Sequence, residues 1–292
     1  MEELEKRDLH TVINITGGEP IILGEELFSL LGYLNSHSRV EELMIITNGL
    51  LLEKDILFRL GEYQKLTTLK ISLEGAHSLT NDAVRGRGVF DKVVDKIRLA
   101  EEISSLEVVL MFTLSKKNVK EFSSMLALSR DLGVEGVMIE RFIPQGRGKE
   151  MEEAVLSREE WRDFIEELIE VCELECTPYD LLPYRAFWIK REGEIEVSGA
   201  LCNLGEALCL MPEGTIFPCR RFPYPLGNIL EDGLEKALDS PFLTTLKDRK
   251  HLKGRCSHCQ VESCYGCRAL SYALFADPYC EDVQCFWEGI TP

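Results

Sequence analysis

Thr11-Val12-Ile13-Asn14-Ile15-Thr16-Gly17-Gly18-Glu19-Pro20 starts as a run of β-branched, mostly apolar residues and breaks into a glycine loop closed by proline. A short β-branched, apolar run ahead of a turn reads as a strand. The pattern recurs. Further strands are expected at 43–47, 66–73, 108–113 and 134–140, and helices near 24–36, 51–62, 89–103 and 118–132. In the third helix Phe90, Val93, Val94, Ile97 and Ala100 recur at helical spacing. Strands roughly 30 residues apart, each followed by a helix, mark βα units and a parallel sheet.

The carboxyl ends of such strands carry the loops that bind ligands. Two more of them are distinctive here, Thr47-Asn48-Gly49 and Ser72-Leu73-Glu74-Gly75. Taken singly, each is an ordinary turn. Three at successive strand ends favour a site. The pattern breaks at Pro144-Gln145-Gly146-Arg147-Gly148-Lys149, after which Ser157-Arg158-Glu159-Glu160 resembles a capping box opening a helix to about residue 175. Pro178, Pro183, Gly193 and Gly199 make 177–200 read as a linker. This divides the chain into 1–176, the linker 177–200, and a region 201–292 in which regular periodicity fades.

Cysteine is placed unevenly. None of the eleven precedes Cys172, and nine lie between Cys202 and Cys285. With 45% hydrophobic residues, an acidic start in place of a secretory signal and no apolar run long enough for a membrane span, the chain reads as cytoplasmic and non-membrane. In a reducing compartment clustered cysteines are metal ligands rather than disulfides. Cys202, Cys209 and Cys219 form one group, and Cys256, Cys259, Cys264, Cys267, Cys280 and Cys285 another. Zinc and iron–sulfur cubanes both take four thiolates, so spacing leaves both open. Cys172 and Cys176 read as small buried hydrophobes. Tyr265, Tyr272, Phe275 and Trp287 read as packing. The formal net charge of −17 argues against a nucleic-acid backbone as partner.

The order Cys-x6-Cys-x9-Cys followed by Cys-x2-Cys-x4-Cys-x2-Cys and a last cysteine resembles the SPASM domain of radical S-adenosylmethionine (SAM) maturases. Pro212-x-Gly214, Phe217-Pro218-Cys219 and Gly266-Cys267-Arg268-Ala269 add to that likeness. The resemblance implies two [4Fe–4S] clusters with interleaved ligands. Cys202, Cys209, Cys219 and Cys267 would hold one, and Cys256, Cys259, Cys264 and Cys285 the other. It also implies that Gly17, Gly18, Glu19 and Pro20 contact the methionine end of SAM. Asn48, Ser72, Glu74 and Arg85 would be further cofactor contacts, and Arg141-Phe142-Ile143-Pro144 resembles the segment after the sixth strand of the family.

The fold implied is α/β: a partial (β/α)6 radical SAM barrel missing its first βα unit, plus a small irregular cysteine-rich SPASM domain. The family's three-cysteine loop, Cys-x3-Cys-x2-Cys, has no counterpart here, so the resemblance implies a fragment whose SAM binding is weak or absent without the catalytic cluster. Its intact parent would be an oxidoreductase or maturase that cleaves SAM reductively and abstracts hydrogen from a peptide or tetrapyrrole. An electron donor such as ferredoxin or flavodoxin is the partner implied. The alternatives are a non-catalytic electron-transfer or substrate-presenting module on a degenerate barrel, and a zinc-binding interaction domain.

Overall fold

The computed structural model describes residues 1–192 and 194–288. Gly193, one of the residues behind the linker reading, lies outside them. Two compact units emerge. Unit 1 is Met1–Glu140 with Trp188–Val197, and unit 2 is Arg141–Phe187 with the residues from Ser198 onward.

Unit 1 opens with α1 (Glu2–Lys6) and β1 (Thr11–Ile15). It continues through α2 (Glu25–Ser36), β2 (Val40–Thr47), α3 (Lys54–Leu60), β3 (Leu66–Ser72), α4 (Ser78–Arg85), α5 (Val89–Ile103), β4 (Glu107–Leu114), α6 (Phe122–Leu132) and β5 (Gly136–Arg141). β1 pairs with β2, β2 with β3 and β3 with β4, all parallel. With β6 (Tyr184–Glu192) and β7 (Glu194–Leu201) they make a seven-stranded sheet ordered β1 to β7, an open half-barrel. Leu43, Ile45, Leu69, Ile71, Val108, Leu110 and Phe112 are buried on the helix-facing side. α5 closes over them with Val93, Val94, Ile97 and Ala100, the stripe its sequence spacing predicts. Each such side chain contributes roughly 1.5–3 kcal/mol when fully buried.

The segment 177–200, read from sequence as a linker, carries β6 and β7. Its prolines sit ahead of β6, while Ala186, Phe187 and Ile189 inside it are buried.

Unit 2 begins with α7 (Arg158–Val171). Its capping box is formed: Ser157 Oγ accepts from the Glu160 amide, and Glu160 accepts from the Ser157 amide. Trp161, Phe164, Ile165 and Leu168 form its buried face. The helix stops at Val171, short of the expected end, with Cys172 as its cap. Beyond residue 201 come a three-stranded sheet of β8 (Cys209–Leu210), β9 (Thr215–Phe217) and β10 (Gly227–Asn228), and five short helices. These are α8 (Ile229–Asp232), α9 (Glu235–Leu238), α10 (Pro241–Lys247), α11 (Arg255–His258) and α12 (Arg268–Phe275). Phe222, Leu246 and Leu270 centre an apolar core lined by Cys267. Among the described residues no helix is long and apolar enough to cross a membrane.

Candidate cofactor sites

In unit 1 the loops after β1, β2 and β3 come together at the carboxyl ends of the parallel strands. Gly17 has φ 147°, a region closed to most L-residues, and a side chain there or at Gly18 would meet nothing within 4 Å. This loop leaves its backbone approachable. Pro20 is buried at the start of a short 3-10 turn. Glu19 ties two loops together: its carboxylate accepts from Thr47 Oγ1 at 2.6 Å, the Asn48 amide at 2.7 Å and the Ile21 amide at 3.2 Å. Asn48 Oδ1 accepts from the Leu50 amide at 2.9 Å.

Glu74 is buried, and its carboxylate accepts from Arg85 Nη2 at 2.5 Å and the Thr113 amide at 3.1 Å. The two residues expected separately to meet a cofactor therefore pair with each other. Asn118, outside every motif singled out in the sequence, fastens this corner by donating to the carbonyls of Glu74 and Thr113 at 3.0 and 2.9 Å. Ser72 ends β3 half-buried, and its hydroxyl makes no hydrogen bond among the described residues.

In unit 2 all cysteines are free. α11 and its cap set Cys256 and Cys259 one turn apart, both buried. Cys264 and Cys267 are buried on the loop entering α12, whereas Cys202, Cys209, Cys219 and Cys285 are partly exposed. Burial pushes the Cys202 thiol up to about 11, with Cys267 and Cys219 adding to the rise. Cys209 is raised by burial and then by Cys219. Cys285 is pushed up to about 11 by burial, by Asp282 and by Cys256 and Cys264. Cys256 is raised chiefly by burial, with Cys264 contributing.

These mutual influences fall into two groups: Cys202, Cys209, Cys219 and Cys267, and Cys256, Cys264 and Cys285. Cys280 sits instead beside Asp277, 3.6 Å from its carboxylate. Cys172 is buried and Cys176 half-buried.

Around the thiols lies a shell of buried charge absent from the sequence motifs except at Arg141 and Arg268. Arg141, Arg185 and Arg268 are 2%, 5% and 0% exposed, and the one buried carboxylate among them is Asp282. Asp282 accepts from Arg141 at 3.0 Å, from the Cys267 amide at 2.9 Å and from the Gln284 amide at 3.0 Å. Burial works to raise its carboxyl, but Arg141 and Arg185 override that and bring it down to about 2. Burial works against the charge on Arg185 too, yet Cys264 and Asp282 hold its pKa above the ordinary value. Arg141 is lowered by burial despite Asp282.

Three guanidinium groups against one carboxylate leave excess positive charge in the interior. The Nε atoms of all three have no hydrogen-bond partner among the described residues. Neutral thiols offset none of this charge, and burying it uncompensated is costly. A four-iron cluster on four thiolates carries net negative charge and sulfur acceptors, so the residues present fit that group. Among the described residues no three His, Cys, Asp or Glu side chains converge closely enough for a single ion.

An open parallel half-barrel with a cysteine-rich iron–sulfur module defines a class, and family comparison names it. The chain is a radical SAM protein with a SPASM domain: residues 1–128 match the radical SAM superfamily and residues 202–260 the iron–sulfur cluster-binding SPASM domain. It is 28% identical over 92% of its length to AdoMet-dependent heme synthase of Methanosarcina barkeri, covering 82% of that protein. It is 28% identical over 85% of its length to the subtilosin biosynthesis protein AlbA of Bacillus subtilis, of which it spans 56%. The solved structure of anSMEcpe with bound AdoMet and Cp18Cys peptide matches 94% of the chain and 81% of its own length, at 16% identity and TM-score 0.66.

Proposed function

We propose that this chain carries the SAM-binding loops and auxiliary-cluster cysteines of a radical SAM/SPASM maturase or oxidoreductase acting on a peptide or tetrapyrrole. The observation that carries the reading is the buried excess of guanidinium charge around two groups of thiols. Cys202, Cys209, Cys219 and Cys267 would hold one [4Fe–4S] cluster, and Cys256, Cys259, Cys264 and Cys285 the second. The chemistry such enzymes supply when fully loaded is reductive cleavage of SAM to a 5′-deoxyadenosyl radical, which abstracts hydrogen from the substrate.

The residues of unit 1 contribute positioning. The backbone of Gly17 and Gly18 offers carbonyls to the SAM ammonium, with Glu19 fixing the loop through Thr47 and Asn48. The Ser72 hydroxyl is available to a cofactor ribose or carboxylate, beside Asn48 and the Glu74–Arg85 pair. Relatives named for haem synthesis and for bacteriocin biosynthesis support tetrapyrrole and peptide as the substrate classes. Electrons would come from a ferredoxin or flavodoxin.

No cysteine precedes Cys172, so residues 1–171 supply no thiolate to a cluster in unit 1. A second reading follows from this: a non-catalytic module in which the two C-terminal clusters pass electrons or present substrate. Anaerobic reconstitution with iron and sulfide separates the readings. About eight irons per chain, two cubanes, is expected, with no 5′-deoxyadenosine under dithionite until a Cys-x3-Cys-x2-Cys segment is joined ahead of β1. Cleavage still absent after that addition would favour the electron-transfer module. One or two zincs without iron would sink both.

A further inference from the structure

Two guanidinium groups in unit 2 touch sulfur. Arg185 Nη2 donates to Cys264 Sγ at 2.9 Å, while its Nη1 is held by the carbonyls of Leu182 at 2.7 Å and Tyr184 at 3.0 Å. Arg268 Nη2 lies 3.5 Å from Cys256 Sγ, and its Nη1 is clamped by the carbonyls of Pro278 and Cys280, both at 2.8 Å. Burying a guanidinium against a neutral thiol gains little and forfeits its hydration, whereas a charged donor against a thiolate is a strong bond.

The space for Arg268 is built into the backbone. A Cβ at residue 266 would stand 2.3 Å from Arg268 Nη2 and 3.1 Å from Cys256 Sγ, so glycine alone, here at φ 68°, leaves the guanidinium its place. Both sulfurs belong to the same proposed group of four.

Resting on the cluster reading above, we infer that Arg185 and Arg268 are positioning residues that set the reduction potential of the cluster on Cys256, Cys259, Cys264 and Cys285. One-electron reduction adds a negative charge to the cluster and its thiolates. A charged hydrogen bond at two of the four thiolates stabilises the reduced state more than the oxidised one, and so raises the potential. Arg185 also senses Cys267 and Cys202 electrostatically. Its charge therefore reaches the neighbouring cluster, but its hydrogen bond does not.

The test is a redox titration followed by electron paramagnetic resonance on the anaerobically reconstituted full chain. Arg185→Gln and Arg268→Gln are compared with wild type, and Cys259→Ser marks which signal belongs to that group. The expected result is full iron and sulfide content, with the larger downward shift in both variants falling on the signal that Cys259→Ser alters. Arg185→Lys should recover part of it. Unmoved potentials, or larger shifts on the other signal, would overturn the inference. Should the glutamine variants lose iron, Arg185→Lys and Arg268→Lys keep the charge and give up the planar fork. A smaller shift of the same sign then supports the inference, and none overturns it. A wild-type chain that binds no iron fails the cluster reading before any variant is made, and this inference falls with it.

Discussion

In unit 1 the Glu19 and Glu74 carboxylates are each taken up by donors of neighbouring loops, whereas in unit 2 buried Nε atoms of Arg141, Arg185 and Arg268 find no acceptor among the described residues. In the first region these two carboxylates cross-link neighbouring loops through backbone amides, Thr47 and Arg85, which holds the loops in shape. The second sets three buried guanidinium groups against the buried carboxylate of Asp282, an excess that an anionic cluster would offset. One region is preorganised for a visitor; the other is built around a resident.

The largest expected effect tests that contrast directly. In chelator-treated chain, amide protection should be lost across 202–285 and kept in β2, β3 and β4, because binding energy at a structural metal site is folding energy. Hydrogen exchange read by mass spectrometry checks this, and equal loss in both units would break the comparison. Next, Asp282→Asn should destabilise unit 2 by about 3–5 kcal/mol, since it strands the buried Arg141 charge. The urea midpoint of the reconstituted chain measures it, and a change within error would mean the cluster alone balances the arginines.

A smaller effect is expected from Glu19→Gln, which keeps one acceptor oxygen where three donors now converge. It should cost about 1 kcal/mol of unit 1 stability and weaken SAM binding by equilibrium dialysis. Unchanged binding would remove Glu19 from the site.

The smallest concerns Glu101, raised from 4.5 to about 7 by burial and by Glu135. The folded form holds this proton more tightly than the unfolded chain. Stability should therefore be unaffected by this group below pH 4.5, decline between 4.5 and 7, and stay reduced above. Glu101→Gln should accordingly raise the melting temperature at pH 8 and leave it unmoved at pH 4; equal effects at both would contradict the assignment.

Parallel strands were legible as short β-branched runs recurring about every 30 residues; Leu66–Ser72 is buried along most of its length, whereas Thr11–Ile15 buries only Ile15. β6 was not legible, since Pro178, Pro183 and Gly199 outweighed the buried Ala186, Phe187 and Ile189. α4 escaped notice because a single residue, Asn81, is buried along it. The helices beyond residue 201 are four to eight residues long, too short to show a period.

At the sites, cysteine spacing announced the thiols, while their division into two groups of four comes from the family resemblance. The arginine shell stayed hidden. Arg185 meets Cys264 from 79 residues away in the sequence, and no local pattern records such a meeting. Glu74 and Arg85 were both visible, but their mutual pairing was not, because each matched a cofactor role on its own.

The clamp on Arg268 has a consequence for speed as well as for equilibrium. Its Nη1 is pinned by two carbonyls and its Nη2 is wedged over the bare backbone of Gly266, so the guanidinium cannot swing when charge on Cys256 changes. A dipole already in its final orientation costs little reorganisation energy when an electron arrives. On the cluster assignment proposed here, electron hopping through this part of unit 2 is limited by distance rather than by rearrangement of the protein around it.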